Sequence, residues 1–182
     1  MILPDDLIDK LLPIEGGYTD DPNDAGGETN FGITIAVARA FGYTGDMRAM
    51  PRATAVEIYR ARYWTQPRFG QVSTIDPELA AMLFDIGVNM GTATGVMFLQ
   101  RALNVLNKQG TAYPDIALDG GVGAMTIAAL TAFKTQRGAA GLTVLRSMVN
   151  AQRSVRYIEI AEHTYTNENF EFGWQQRTFG DV

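Results

Sequence analysis

With 182 residues, 46% of them apolar and 19% charged, the chain is long enough to bury a core and too apolar to stay disordered, so one compact domain, or one with a small appendage, is expected. A net charge of −5 argues against sequence-independent nucleic-acid binding, which draws on a basic surface to displace phosphate counterions. The absence of cysteine excludes disulfides, thiolate nucleophiles and cysteine zinc sites, and the lone histidine, His163, sits in no serine-histidine motif.

In chain order, Leu7, Ile8, Leu11 and Leu12 recur at helical spacing and predict a helix over Pro4 to Glu15. Pro4 suits its first turn and Gly16 a left-handed C-cap, while Pro13 removes a backbone donor and predicts an irregular last turn beside Glu15. Residues 19–30 are nearly all turn formers and read as a loop. Phe31 to Ile35 reads as a short strand-like piece and Ile35 to Phe41 as a short helix. Thr54-Ala55-Val56-Glu57 matches a capping box that would open a helix running to about Trp64.

Asp76-Pro77 is the next start signal, followed by an apolar stripe of Leu79, Leu83, Ile86, Gly87 and Met90 that predicts a helix central to the core. A further helix from about Thr94 would bury Val96, Leu99, Leu103 and Leu106. Residues 107–123 are the clearest break in the pattern and a candidate boundary between subdomains. Helices over Ala124 to Phe133 and Gly141 to His163 follow, then a tail with Phe170, Phe172 and Trp174. Strand patterns are scarce, so the predicted fold class is mainly α, with at most a small hairpin near residues 17–35.

Charge is unevenly spread. Residues 1–30 carry eight acids against Lys10, whereas residues 39–68 carry six arginines against Asp46 and Glu57. This suits either a cleft for a polar substrate or two ordinary solvated faces.

The sharpest chemical signal is Glu15, an acid at a helix C-terminus. The dipole there disfavours the ionised form by about 0.3–1 kcal/mol, and desolvation by Tyr18 or Phe31 would act in the same direction. A carboxyl that stays protonated near neutral pH is what a general acid requires; the alternative is an ordinary exposed glutamate. Asp24 follows on a glycine-rich loop, and glycosidic cleavage normally sets two acids across the bond. Gly26-Gly27 would let the loop backbone approach a sugar, and the Thr29 hydroxyl would orient a water, unless the loop is only a solvated turn. A calcium loop begun at Asp21 fails, because Ala25 replaces the fifth ligand and Gly32 the bidentate acid. Tyr63 and Trp64 would stack on sugar faces or else pack in the core with a polar tip outward, and Trp174 reads as core.

The run EGGYTDDPNDAGGETNFGIT (Glu15 to Thr34), with IYRARYW (Ile58 to Trp64), LFDIGVNMG (Leu83 to Gly91) and LQRAL (Leu99 to Leu103), resembles family 108 of the glycoside hydrolases. Those are peptidoglycan-cleaving lysozymes of phages and bacteria. LDGGVGAMT (Leu118 to Thr126) and FGWQQR (Phe172 to Arg177) are similar to the peptidoglycan-binding region that usually follows. The resemblance implies a lysozyme-like catalytic region over 1–93 and a helical wall-binding region over 94–182. It implies an N-acetylmuramidase, with Glu15 as proton donor. The spacing of Glu15, Asp24 and Thr29 resembles the catalytic set of phage lysozymes, the threonine falling one residue earlier here; Pro13-Ile14 is a departure that bears on the helix end. Asp85 and Asn89 share one helix face, which in the resemblance lines the cleft; a structural hydrogen-bond network is the other reading.

Tyr18, Phe31, Tyr63, Trp64, Asp85 and Asn89 are therefore the expected substrate-binding residues. The expected partner is a peptidoglycan glycan strand, met by a monomer with no cofactor, no metal, no nucleic acid and no membrane insertion. Asp5, Asp6 and Asp9 interrupt any signal-peptide pattern, so holin- or secretion-dependent export from the cytoplasm to the wall is expected. The rival readings are a lytic transglycosylase and a noncatalytic wall-binding or secretion-associated protein.

Overall fold

The computed structural model describes residues 4–20 and 27–179, and of Ile14 and Glu15 the backbone only. The chain divides into two compact units, Met1–Gly70 and Gln71–Val182. The described residues are mainly α-helical, with one two-stranded sheet.

In the first unit, α1 (Pro4–Glu15) buries Ile8, Leu11 and Leu12 and runs through Pro13 without a break in its helical assignment. Pro13 itself is exposed, and the helix continues past it to Glu15. β1 (Thr29–Asn30) and β2 (Ile33–Thr34) pair antiparallel, Thr29 opposite Thr34 and Asn30 opposite Ile33. The two-residue turn between them has φ of 51° at Phe31 and 69° at Gly32. Two positive φ angles in succession match the twist of a hairpin, and Phe31 pays a steric penalty that glycine would not. Thr34 caps α2 (Ile35–Phe41) by accepting from the Val37 N–H at 3.4 Å, and Gly42 ends it at φ 102°.

The helix expected from a Thr54 cap starts earlier. α3 spans Arg52–Arg60 with Pro51 at its N-cap and no side-chain cap bond, so Thr54 lies inside the first turn. Pro51 presets a helix-start φ and commits the chain before the capping box is reached. α3 continues into a π-helical turn, Ala61–Thr65, and packs beside α1. Arg52 meets Asp9 at 2.6 Å and Arg60 meets Asp5 at 2.7 Å, but all four side chains are well exposed, so these pairs align the helices more than they stabilise them. α4 (Phe69–Ser73) closes the unit and leads into the next.

In the second unit the Asp76 carboxylate caps α5 (Pro77–Met90), accepting from the Glu78 and Leu79 N–H groups at 3.1 and 3.2 Å while Arg146 holds its other oxygen at 2.7 Å. Leu79, Leu83 and Ile86 are fully buried, as the stripe requires. α6 (Thr92–Leu106) starts at once after Gly91, whose φ is 91°. So tight a corner demands small residues: a Cβ on Gly87 would stand 2.9 Å from Thr92 Cγ2. α7 (Ala124–His163) carries a break at Gly138, φ 61° and ψ −157°, which lies between the two helices read from the sequence. The stretch expected only as a tail contains α8 (Glu168–Phe179), which packs on α7. Its apolar residues lack a helical period, and Phe170 and Phe172 are exposed. Contacts to distant residues hold it instead: Asn150 donates to the Thr178 carbonyl at 2.6 Å, and Ser154 donates to Gln175 at 2.7 Å.

Residues 107–123 lie within the second unit and do not divide it. Two amides on α6, Gln100 and Asn104, and a third at its C-cap, Asn107, hold this loop. Asn104 exchanges two bonds with the Ile116 backbone, at 2.8 and 2.9 Å, and Asn107 donates to Asp115 at 2.6 Å. Gln100, 1% exposed, donates through Nε2 to Asp119 (2.8 Å), the Gly121 carbonyl (3.1 Å) and Thr126 Oγ1 (3.2 Å), and accepts from the Gly120 N–H at 3.0 Å. The LQRAL and DGGVGAMT motifs are thus two halves of one latch. Its bonds from Gln100 and Gly121 hold the Asp119 carboxyl below its ordinary range. Tyr113 donates to the Leu103 carbonyl at 2.9 Å, and burial pushes its hydroxyl up to about 12, so it remains a donor.

Gln100→Leu strips partners from Gly120, Asp119 and Thr126 together. It is expected to cost about 2–4 kcal/mol, since buried polar groups left unpaired cost about 1–3 kcal/mol each and Asp119 can turn to water. Urea unfolding measures this, and a loss under about 0.5 kcal/mol would refute the latch.

Candidate active site

The first unit assembles the polar loop region around the end of α1. The Glu15 backbone closes that helix, and Gly16 follows at φ 86°, the left-handed cap expected from the sequence. The chain then reaches Thr19, which pairs with Thr29 through two backbone bonds of 2.8 and 2.9 Å. Thr29 therefore sits on a strand laid against the segment leaving Glu15. Its hydroxyl donates to the Gly27 carbonyl at 3.3 Å, which leaves the oxygen's lone pairs able to accept from a water. The catalytic expectation for Asp24 lies outside the described residues.

Two residues that the sequence did not single out hold the hairpin. Asn30 is buried and donates through Nδ2 to the Met47 carbonyl at 2.7 Å, while Tyr59 on α3 donates to the Phe31 carbonyl at 3.0 Å. Tyr59 lies inside the IYRARYW element, which is the only signal that pointed near it. Together these bonds anchor the first half of a turn that holds Phe31 at positive φ, and local strain persists only where surroundings enforce it. Asn30→Ala takes from the Met47 carbonyl its shorter bond and leaves it the Met50 N–H at 3.3 Å, with an expected cost of about 1 kcal/mol and a drop in activity as the strand carrying Thr29 loosens. Thermal unfolding beside a hydrolysis assay checks this, and an unchanged melt would remove Asn30 from the account.

The expected sugar-facing aromatics separate. Tyr18 is half-buried, with the Arg48 guanidinium 4.9 Å above its ring. A hydrogen bond with Tyr18, then the charges of Asp46 and Glu28, hold Arg48 even more firmly protonated than usual. Phe31 and Tyr63 are half-buried; the Tyr63 ring lies 5.4 Å from that of Tyr59. Trp64 takes the core alternative and is 8% exposed. In the second unit, Asp85 and Asn89 enter a charged network. Arg153 donates to one Asp85 oxygen at 2.5 Å, Arg177 grips the other at 2.6 and 3.0 Å, and Arg177 also reaches Asn89 Oδ1 at 3.3 Å. Both side chains thus belong to a hydrogen-bond network, one of the two roles read for this pair. Among the described residues no group of three metal-ligating side chains forms.

A hairpin that returns the Thr29 hydroxyl to the segment leaving α1 suits the handling of a sugar chain. Residues 8–91 match the family described as "Glycosyl hydrolase 108", and residues 94–179 match the "Predicted Peptidoglycan domain". The chain carries a glycosyl hydrolase 108 region over residues 8–91. This glycoside hydrolase acts on peptidoglycan, as the second matched region indicates. Among solved structures the hydrolase is similar to SagA of Brucella abortus, with a TM-score of 0.62 and 25% identity, over 96% of this chain and 88% of that one. No curated protein matches it. The two family matches meet at the α5–α6 corner, whereas the compact units part between Gly70 and Gln71, so the hydrolase family's sequence includes α5 with Asp85 and Asn89. No helix among the described residues is long and apolar enough to cross a membrane.

Proposed function

We propose that the hydrolase is an N-acetylmuramidase cleaving the β-1,4 bond between N-acetylmuramic acid and N-acetylglucosamine. Glu15 protonates the glycosidic oxygen, Asp24 activates water or stabilises the oxocarbenium-like state, and Thr29 positions the water. Tyr18, Phe31 and Tyr63 flank the sugars. The observation that carries this reading is the Thr19–Thr29 pairing, which returns the Thr29 hydroxyl to the chain four residues beyond Glu15. The enzyme acts as a monomer on the wall, after export by a holin or a secretion system.

Digestion of purified sacculi in ¹⁸O-water, followed by mass spectrometry, tests the bond and the reaction. The expected products end in reducing N-acetylmuramic acid carrying one heavy oxygen. Anhydro ends would make the enzyme a lytic transglycosylase, and reducing N-acetylglucosamine ends would place the cut at the other bond.

A further inference from the structure

We infer that a groove between α2 and the π-helical turn after α3 binds the stem peptide of peptidoglycan, an inference that rests on peptidoglycan being cleaved at the site above. The groove has a volume of ≈ 720 Å³, within the range of sites that hold small organic ligands. One wall is apolar, built from Val37, Ala40 and Phe41, the last 41% exposed to water in the free protein. The facing wall carries Glu57, Arg60 and Arg62.

The charges on that wall are incompletely used. Arg60 spends Nε and Nη2 on Asp5 and keeps Nη1. Arg62 and Glu57 form no ion pair among the described residues, and the Arg62 guanidinium rests 5.8 Å from the Tyr63 ring centre. One guanidinium without an ion pair, a second that keeps one donor nitrogen, and one carboxylate facing an apolar wall complement a short peptide with carboxylates and an amine. Stem peptides have that composition where their diamino acid is not cross-linked, and their methyl side chains suit the apolar wall. A bare sugar offers no charge for Arg62, and a polyphosphate offers none for Glu57.

The backbone supplies a second observation. π-helical turns are rare, cost hydrogen-bond geometry and concentrate at functional sites. This one, Ala61–Thr65, forms part of the groove wall and also carries Tyr63, so one distorted turn joins the groove to an aromatic that the proposed function places beside the sugars. Binding the peptide away from the scissile bond would supply remote binding energy to position the glycan.

The test titrates ¹⁵N-labelled full-length protein with synthetic L-Ala–γ-D-Glu–meso-diaminopimelate–D-Ala and follows the amides of α2 and residues 57–66. Saturable shifts there are expected. Arg62→Glu, which reverses a charge, and Ala40→Trp, which fills the groove, each weaken the dissociation constant about 10-fold or more. Both positions are exposed or half-exposed, so folded protein is obtained with either. In parallel, the ratio of rates on intact over peptide-stripped glycan falls in both variants. Absence of saturable binding, or wild-type affinity in either variant, overturns the inference. Neither result touches the muramidase reading, which the product ends decide separately.

Discussion

Replacing Glu15 by glutamine is expected to lower peptidoglycan turnover by about 10²–10⁴-fold, the usual contribution of a positioned general acid. The amide keeps the shape of the side chain and can still donate a weak hydrogen bond, but it has no proton to surrender to a departing sugar oxygen. Glu15→Asp, one methylene shorter, should retain more activity than the amide while losing much of the rate, because proton transfer needs the donor within hydrogen-bond reach. The measurement is release of soluble muropeptides from sacculi at saturating substrate, with circular dichroism showing a retained fold. Thr29→Val should cost less than Glu15→Gln, since a hydroxyl that orients water is partly replaced by other water contacts. If Glu15→Gln keeps a tenth or more of the wild-type rate, the proton comes from another group and the mechanism above is wrong.

The largest stability effect is expected at Asp85. Arg153 is only 4% exposed in its side chain and has the Asp85 carboxylate as its ion-pair partner; its Nε has no hydrogen-bond partner among the described residues. Asp85→Ala leaves that guanidinium buried without compensation, and breaking a buried pair from one side costs about 3–5 kcal/mol. Arg177, which is 30% exposed, can turn to water, so Arg177→Ala is expected to cost much less. The pair Asp85→Leu with Arg153→Met removes both charges and should recover most of the loss, because an apolar pair avoids the desolvation cost altogether. Urea unfolding of the three variants decides the matter. A loss below about 1 kcal/mol for Asp85→Ala would mean that Arg153 is hydrated and that the network contributes little.

Signals confined to a few neighbouring residues were legible in the sequence. Asp76 caps the helix that Pro77 opens and Gly16 follows the end of α1 at positive φ, because each acts on backbone groups within one turn of itself. The same holds for Glu15 at a helix end, whereas Thr29, read as part of a loop, lies in β1 because its partners Thr19 and Thr34 supply the pairing. What the tertiary structure alone decided depends on partners far along the chain. Asp85 meets Arg153 and Arg177 across 68 and 92 residues, and no periodicity announces that an acid on an apolar helix will be enclosed by two arginines. The loop over 107–123 reads as a boundary for want of apolar residues, yet Gln100, Asn104 and Asn107 bind it to α6 by hydrogen bonds, for which polar composition carries no pattern. Likewise Thr54 and Glu57 form a sound capping box that goes unused once Pro51 has started the helix. Short-range backbone chemistry is written in local order, whereas the pairing of buried polar groups is settled only when folding removes the water that would otherwise satisfy them.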